Sequence, residues 1–484
     1  MASKTTQTVV PDFGMRHAFF REIEENEWYR IHEGEHSIPA YLRGTLYFNG
    51  PAKFQFGHGL RYRNWLDGDG MVCALHFAEN GLYCANRFVR GRKFVREKNG
   101  DPIYRSFGTA FPGDRLKRGI GTESPYNVSV FPYRGKLLAF GEQSLPMELD
   151  PVTLETVTPE HTFDFEGALN DAAPFSAHPK IDDRTGELLN FGVFFSPLRP
   201  VLVYYRFDQN GALACRTQVP LDMPCSLHDF ASSEHFVIFY LSPYVLDSTG
   251  LTKRGLSTLD SLSWQPERGG QILILNRSSG DEVARIPIAG KYCLHTINAF
   301  ERDSTLVLDV IELERPMYDQ YLLPNLFEDA PGGQPTRYEI DLDRFTILEK
   351  KEIPYRCAPD FPTIDSRLQS SAYNQMWMLG ISKTGSQGAK FFDQLVHANW
   401  LTPNELDIWS CPAGYYLGSE PVFIPSPDTV DDGIVICHLL DGMTLTSHFA
   451  FFPSNHISKG PSGLITLANS IHLGFHSSFQ PSAE

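Results

Sequence analysis

The stretch LVYYRFDQNGALACRTQV, residues 202–219, consists of two apolar and β-branched runs around the turn-forming sequence DQNG. This pattern predicts a strand, a tight turn and a second, antiparallel strand. The same arrangement recurs in ILILNRSSGDEVARIPI (272–288), in TRYEIDLDRFTILEKKEI (336–353) and near 133–157. The chain is therefore predicted to be built largely from β-hairpins.

The length of the chain and its scarce helical periodicity narrow the fold class. Hairpins recur across 484 residues, with 39 Gly and 34 Pro among them and no low-complexity linker. A sandwich normally ends within about 100 residues, whereas a propeller repeats small antiparallel sheets around an axis. We therefore expect an all-β chain, a β-propeller of six to eight blades in a single domain over 1–484. The best helix candidate is RHAFFREIEENEWYRI (16–31).

Composition argues against several classes of partner. The 42 basic and 58 acidic residues give a formal charge of −16, which repels nucleic-acid phosphates and anionic membranes. The N-terminal MASKTTQTVVPDF lacks the apolar core of a signal peptide, and no run approaches the ~18–20 apolar residues of a membrane span. We therefore expect a cytoplasmic protein. The eight cysteines form no CxxC pairs, which favours reduced, structural thiols.

Four of the 16 histidines lie in distinctive local sequences. His178 is in FSAHPKID, His228 in SLHDF, His295 in LHTINAF and His476 in FHSSF. A lone histidine is more often exposed or hydrogen-bonded than a metal ligand, and these four are separated by 50, 67 and 181 residues. Only the fold could bring them together. The innermost strands of a propeller converge on its axis, so imidazoles from several blades could reach one point.

Four neutral imidazoles would suit a divalent ion such as iron, copper or zinc, and ligand softness does not choose among these metals. Acids bonded to the outer ring nitrogens would fix each tautomer and offset the charge of the metal. The candidates are Glu142 in LLAFGEQS, Asp360 in CAPDFPTID and Glu420 in GSEPVFIP. Each could instead be an ordinary solvent-facing or turn carboxylate.

Several longer motifs accompany the histidines in a definite order. They are IPAYLRGTLYFNGPAKF (38–54), WLDGDGMVCALHF (65–77), NRFVRGRKF (86–94), NVSVFPYRGKLLAFGEQSLPMELDPVTLET (127–156) and RGLSTLDSLSWQPERGG (254–270). Together they resemble the carotenoid cleavage oxygenase family, iron(II) enzymes that split polyene or stilbene double bonds with dioxygen. Each motif is modest alone, but their order and spacing make the resemblance specific, and it covers nearly the whole chain.

The resemblance implies a seven-bladed β-propeller with a cap of loops and short helices over the active-site face. An apolar tunnel would lead to Fe²⁺. Carried over position by position, the family pattern makes His178, His228, His295 and His476 the iron ligands. His472 is the alternative to the last of these.

The residues around the ligands match the family pattern less completely than the ligands do. Glu142 and Glu420 stand where the family places glutamates on ligand imidazoles, whereas Asp360 replaces the usual glutamate. We expect this shorter side chain to reach its imidazole through water or a shifted backbone. Val128 matches a position whose methyl group leans over an open coordination site, with core packing as the alternative. Ser477 stands where relatives commonly have glycine.

The implied reaction adds both atoms of O₂ across a conjugated C=C bond and gives two carbonyl products without an external reductant. Stilbene-cleaving relatives hold a phenol with a lysine just before the outer glutamate, where this chain has Gly141. We therefore expect an oxidoreductase acting on a carotenoid or apocarotenoid. The alternatives are a stilbene or phenylpropenoid cleavage dioxygenase, a retinoid-type isomerohydrolase, or a non-enzymatic propeller scaffold.

Peripheral membrane contact is a further expectation, because polyenes reside in membranes. The apolar segments YLSPYVL (240–246) and YLLPNLF (321–327) could rim the tunnel and dip into a bilayer. Core packing of the same residues is the alternative.

Overall fold

The structure is a computed structural model that describes residues 12–31, 38–98, 104–117, 121–196, 199–323, 326–385, 387–427 and 432–482. Seven antiparallel sheets follow one another along the chain and form the blades of a β-propeller. The predicted all-β propeller is confirmed, and seven is the blade count that the family resemblance implied. We number the blades 1 to 7 in chain order.

Each blade contains three to five strands, which are named in order from one edge of the sheet to the other. Blade 1 consists of Asn26–Ile31, Gly81–Phe88, Asp69–Ala78, Gly44–Lys53 and Ser477–Pro481. Blade 2 consists of Ser129–Tyr133, Lys136–Phe140 and Met147–Leu149. Blade 3 consists of Lys180–Asp182, Glu187–Phe194, Val201–Phe207 and Leu213–Pro220. Blade 4 consists of Ala231–Ser232, Phe236–Leu241, Gly270–Asn276 and Glu282–Ile288.

The remaining blades follow the same scheme. Blade 5 consists of Tyr292–Arg302, Thr305–Leu313, Gly333–Asp341 and Ile347–Glu352. Blade 6 consists of Asp360–Thr363, Gln375–Gly380, Gln394–Asn399 and Asp407–Ser410. Blade 7 consists of Tyr415–Leu417, Gly433–Asp441, Ser447–Pro453 and Gly463–Thr466, with Val422–Pro425 also paired to its second strand.

Short helices and two small hairpins lie outside the blades. The hairpins pair Gln55–Phe56 with Leu60–Arg61 and Tyr244–Leu246 with Leu262–Trp264. The α-helices are Asp12–Phe19, Arg92–Lys98 and Ser248–Lys253. The 3₁₀ turns are Gly57–Gly59, Trp65–Asp67, Leu259–Ser261, Pro266–Arg268, Tyr318–Tyr321, Ser366–Leu368 and Ile457–Lys459.

The helix predicted over 16–31 is wrong in its second half. The helix ends at Phe19, and Asn26–Ile31 is instead the edge strand of blade 1. It pairs antiparallel with Gly81–Phe88. Only the last side chain of this strand is buried, so its sequence carries little of the alternation that marks a strand. Pairing with a neighbour overrides the local preference of this segment.

The hydrophobic core is divided among the interfaces between neighbouring blades. Tyr204 of blade 3 and Phe239 of blade 4 belong to one such cluster. Phe77 of blade 1 and Phe451 of blade 7 pack edge to face in another, with ring centroids 6.1 Å apart. Because each sheet buries both faces against its neighbours, packing fixes the position of every blade relative to the next.

A five-residue turn with one conformation recurs in five blades. The side-chain oxygen of its first residue, Asp or Asn, accepts the backbone N–H groups two and three positions later. Its carbonyl accepts the N–H of the fifth residue, which has a positive φ. The turns are 150–154, 182–186, 276–280, 341–345 and 441–445. The feature that recurs is the hydrogen bonding of the turn, not a pattern of apolar residues.

Three other expectations can be compared with the structure. All eight cysteines are free thiols, as predicted. In the described part of the chain, no helix is long and apolar enough to cross a membrane. Most described side chains of 240–246 and 321–327 are buried, while Val245, Leu322 and Leu323 are partly exposed.

Two buried histidines face the interface that closes the ring. His438 of blade 7 and His472, in the segment that leads to the last strand, are 1% and 2% exposed. Both rings pack against Phe48 of blade 1, with centroid distances of 5.6 and 5.1 Å. No ring nitrogen of either makes a hydrogen bond of normal geometry with the described residues. Burial lowers the pKa of each to about 3, and the nearby Arg21 acts in the same direction.

We predict that acid destabilises the protein through this pair. The unfolded chain binds protons at the ordinary histidine pKa near 6.5, whereas the folded chain does not bind them until about pH 3. The stabilisation is therefore complete above pH 6.5 and is lost as the pH falls below it. At pH 5.5 the two residues together cost about 3 kcal/mol.

Denaturant unfolding at pH 7.5 and 5.5 measures this loss. In the double variant H438L/H472L the difference in unfolding free energy between the two pH values should shrink by about that amount. An equal difference in wild type and variant would contradict the assignment.

Candidate metal centre

The structure brings His178, His228, His295 and His476 together at the hub of the propeller. One ring nitrogen of each lies within 4.8 Å of the corresponding atoms of the other three. They come from blade 3, blade 4, blade 5 and the closing strand of blade 1, at or just before the strand at one end of each sheet. Three of the four are buried, and the second is partly buried. The fold thus brings together four histidines that lie far apart in the sequence.

The four rings surround a common point. Five of the six centroid distances lie between 4.3 and 5.3 Å. The exception is the pair His228 and His476, whose centroids are 6.4 Å apart. The Nε2 atoms of His178 and His228 are only 2.8 Å apart. His228 and His476 are thus the most widely separated pair, and the other rings all lie beside one another.

Three predicted acids lie beside the Nδ1 atoms of three of the rings. Glu142 Oε1 lies 2.7 Å from His228 Nδ1. Asp360 Oδ1 lies 2.5 Å from His295 Nδ1. Glu420 Oε2 lies 3.4 Å from the Nδ1 atom of the fourth imidazole. These acids belong to blades 2, 6 and 7, so every one of the seven blades contributes a side chain to the cluster.

Asp360 reaches its imidazole directly, without the bridging water that its shorter side chain suggested. The strand Asp360–Thr363 pairs irregularly with its neighbour in blade 6, Gln375–Gly380. The next residue, Phe361, has a positive φ of 50° and donates its N–H to Asp360 Oδ1 at 2.9 Å. Irregular strand ends of this kind re-aim a side chain. The shifted-backbone alternative therefore agrees with the local geometry.

Burial controls the protonation of the rings. It lowers the pKa of His178 well below the usual range, and the neighbouring imidazoles lower it further. Burial also lowers the pKa of His476, against the opposing charge of Glu420. Burial acts on His295 in the same direction, but the Asp360 carboxylate outweighs it and the pKa is raised. Two of the rings are thus held in the neutral form that binds metals.

The donor set fits a divalent metal ion. With His295 Nδ1 bonded to Asp360, the Nε2 atom of the same ring is buried and has no hydrogen-bond partner among the residues that the structure describes. A buried polar atom without a partner is costly, and a bound cation among the four imidazoles would satisfy it. The cluster is therefore a metal-binding group of four histidines.

One acid near the cluster was missed by sequence reasoning. Asp229 directly follows His228, and its Oδ1 atom lies 3.8 Å from His178 Nδ1. The same oxygen is 2.8 Å from Lys180 Nζ, and this cation holds the pKa of Asp229 below its usual value although burial raises it. The residue was visible in SLHDF, but only its histidine was considered.

Other predicted residues lie at varying distances from the cluster. His472 is outside it, so the structure favours His476 over this alternative. Val128 lines the same cavity as the cluster, and its carbonyl accepts the backbone N–H of His476 at 3.2 Å. Ser477 donates its backbone N–H to Glu420 Oε2 at 3.1 Å, so the residue in place of glycine supports the outer acid.

A cavity of about 340 Å³ opens onto three of the four histidines. Its wall is mostly apolar and includes residues from short helices and loops outside the blades. These lining residues include Leu66, Phe107, Leu227, Leu251, Leu294, Tyr318, Tyr321, Phe361 and Phe475. Lys117, Glu123 and Asp171 form a charged group on the wall. The volume is that of a small-molecule site.

Comparison with known proteins gives a consistent result. The family model described as "Retinal pigment epithelial membrane protein" matches residues 20–481. Apocarotenoid-15,15'-oxygenase from Synechocystis is 28% identical, over 95% of this chain and 94% of its own. Isoeugenol monooxygenase from Pseudomonas nitroreducens is 27% identical, over 93% and 94%.

The fold has a close counterpart among solved structures. A glutamate-to-aspartate variant of Synechocystis apocarotenoid oxygenase superposes with a TM-score of 0.88 at 25% identity, covering 98% of this chain and all of the other. The family model spans nearly the entire propeller, including all four histidines. The chain therefore belongs to the carotenoid cleavage oxygenase family.

Proposed function

We propose that the chain, as one domain over residues 1–484, is a non-haem iron(II) dioxygenase. It cleaves a conjugated C=C bond of a carotenoid or apocarotenoid to two carbonyl products. The observation that carries this proposal is a buried group of four imidazoles at the wall of an apolar cavity. Family membership supports the choice of iron, since imidazoles alone also suit zinc or copper.

His178, His228, His295 and His476 would hold the ion, and no carboxylate is among them. An iron(II) ion bound there would supply the binding and reduction of dioxygen. The outer acids keep the imidazoles oriented and offset part of the positive charge. A metal ion held there would be accessible from the cavity, and the acids on the outer nitrogens would hold its imidazole ligands in place.

The cavity wall positions the substrate and excludes water. Phe361 packs against two of the ligand rings, with centroids 5.3 Å from His295 and 5.2 Å from His476. Val128 and Leu294 add aliphatic surface to the same wall. An apolar wall favours a hydrocarbon chain beside the four imidazoles that would hold the metal. Because one oxygen atom enters each carbonyl, the reaction balances without a reductant.

The geometry around Gly141 supports a polyene over a phenolic substrate. A β-carbon at this position would lie 1.8 Å from Ser124 Oγ, so no side chain fits without displacement. The lysine that anchors phenols in stilbene-cleaving relatives therefore has no equivalent space here. Phenylpropenoids are the alternative substrates to test, because the chain is also similar to an isoeugenol monooxygenase.

We predict that the purified iron-loaded protein cleaves an apocarotenal and incorporates oxygen from O₂ into both products. The measurement is chromatography and mass spectrometry of the products under ¹⁸O₂, with apocarotenals, resveratrol and isoeugenol offered in parallel. Turnover of the phenolic substrates alone would overturn the substrate assignment. Products free of ¹⁸O would instead indicate an isomerohydrolase.

We predict that H228A and H295A each lose bound iron and cleavage together. Removing one of four neutral ligands leaves a weaker site, and we expect at least a tenfold loss of metal affinity. Metal analysis by plasma mass spectrometry and the cleavage assay test this. H397A is the matched control, because His397 lies in blade 6, bonded to Gln375 and away from the cluster. Full iron content and cleavage in both variants would contradict the four-histidine site, whereas wild-type protein that holds no iron and regains none on reconstitution would favour the scaffold alternative.

A further inference from the structure

Asp229 lies where three ligand-bearing segments meet. It follows His228 in sequence, and its side chain is 3% exposed. Oδ1 is 2.8 Å from the ammonium of Lys180, which is two residues after His178. Oδ2 accepts hydrogen bonds from both the N–H and the hydroxyl of Thr296, each at 2.8 Å. Thr296 directly follows the third histidine in the sequence.

The contacts of Asp229 differ in kind from those of the other acids. Glu142, Asp360 and Glu420 each face one imidazole from behind. Asp229 is 3.8 Å from the nearest imidazole nitrogen, too far for a hydrogen bond. Its short contacts go to residues beside the ligands, so they act on the backbone segments that carry the rings.

These contacts join blades 3, 4 and 5. Lys180 belongs to the first strand of blade 3, and Thr296 to the first strand of blade 5. Asp229 precedes the first strand of blade 4, and its Oδ1 atom also accepts the backbone N–H of the next residue, Phe230, at 2.8 Å. Charge-assisted bonds of this length restrain position more tightly than apolar packing between sheets does.

We propose that Asp229 is a positioning residue that sets the relative placement of His178, His228 and His295. This inference rests on the proposed metal-binding function. Lys180 compensates the buried charge, so the pair adds little net charge to the site and acts through geometry. Without this cross-link, His228 and His295 would keep the acids on their outer nitrogens, but the three ligands would no longer be held in fixed positions relative to one another.

Cobalt(II) provides a readout that is independent of cleavage activity. Its visible absorption reports the arrangement of the ligands, and titration gives the affinity of the site. The variants are D229N, which removes the charge from the carboxylate, T296V, which removes one of its donors, and K180M/D229N, which removes both charges. D309N is the matched control, since Asp309 is a buried acid paired with Arg337 in blade 5, away from the cluster.

We expect D229N to bind Co²⁺ about 10- to 100-fold more weakly than wild type, with a changed visible spectrum. T296V should change the spectrum in the same direction with a smaller loss of affinity. K180M/D229N should stay as weak as D229N, because the cross-link is absent from both. D309N should lower thermal stability and leave the cobalt spectrum unchanged.

Three results would overturn the inference. These are a wild-type spectrum and affinity in D229N, recovery of both in K180M/D229N, which would assign the effect to the Lys180 charge alone, and the same spectral change in D309N. If D229N does not fold, T296V decides, and a wild-type spectrum in that variant counts against the proposal. Failure of the wild-type protein to bind Co²⁺ would refute the metal-binding function itself.

Discussion

Closure of the ring is the constraint on which the metal centre depends. The strand Ser477–Pro481 completes blade 1 by pairing with Gly44–Lys53. His476 directly precedes this strand, and its backbone is bonded on two sides: its N–H donates to Val128 and its carbonyl accepts the N–H of Asn49. The last ligand can therefore take its place only when the first and last parts of the chain are joined.

The distribution of side chains among the blades follows from that closure. Imidazoles come from blades 1, 3, 4 and 5, and acids that face them from behind come from blades 2, 6 and 7. Each acid thus supports a ring from another blade, which places hydrogen-bonding or ionic contacts across interfaces that are otherwise apolar. A divalent ion among neutral ligands keeps its charge, and anionic groups one layer out offset it without occupying its coordination positions.

Much of the fold could be predicted from local sequence, because hairpins depend on alternation and turn residues a few positions apart. The site could not, since His178 and His476 meet only through the whole ring, and family resemblance was needed to select them. Two features were missed despite visible signals. The turn repeat has Leu154, Phe345 and Leu445 at the positive-φ position of three of its copies, so glycine alone does not mark it. Asp229 was not predicted as part of the site, because a single acid beside a histidine forms no periodic pattern.

The cap and the hub differ in how strongly the fold determines them. Ligands and outer acids lie in or close to strand ends, where strand pairing restrains the backbone. Part of the rest of the cavity wall comes from loops and short helices, such as those that carry Phe107, Leu251 and Tyr318. Such segments tolerate change without disturbing the blades. The hub and the cavity wall are thus specified by different parts of the sequence, because strand ends carry the histidines whereas many wall residues lie in loops and turns that follow no sequence period.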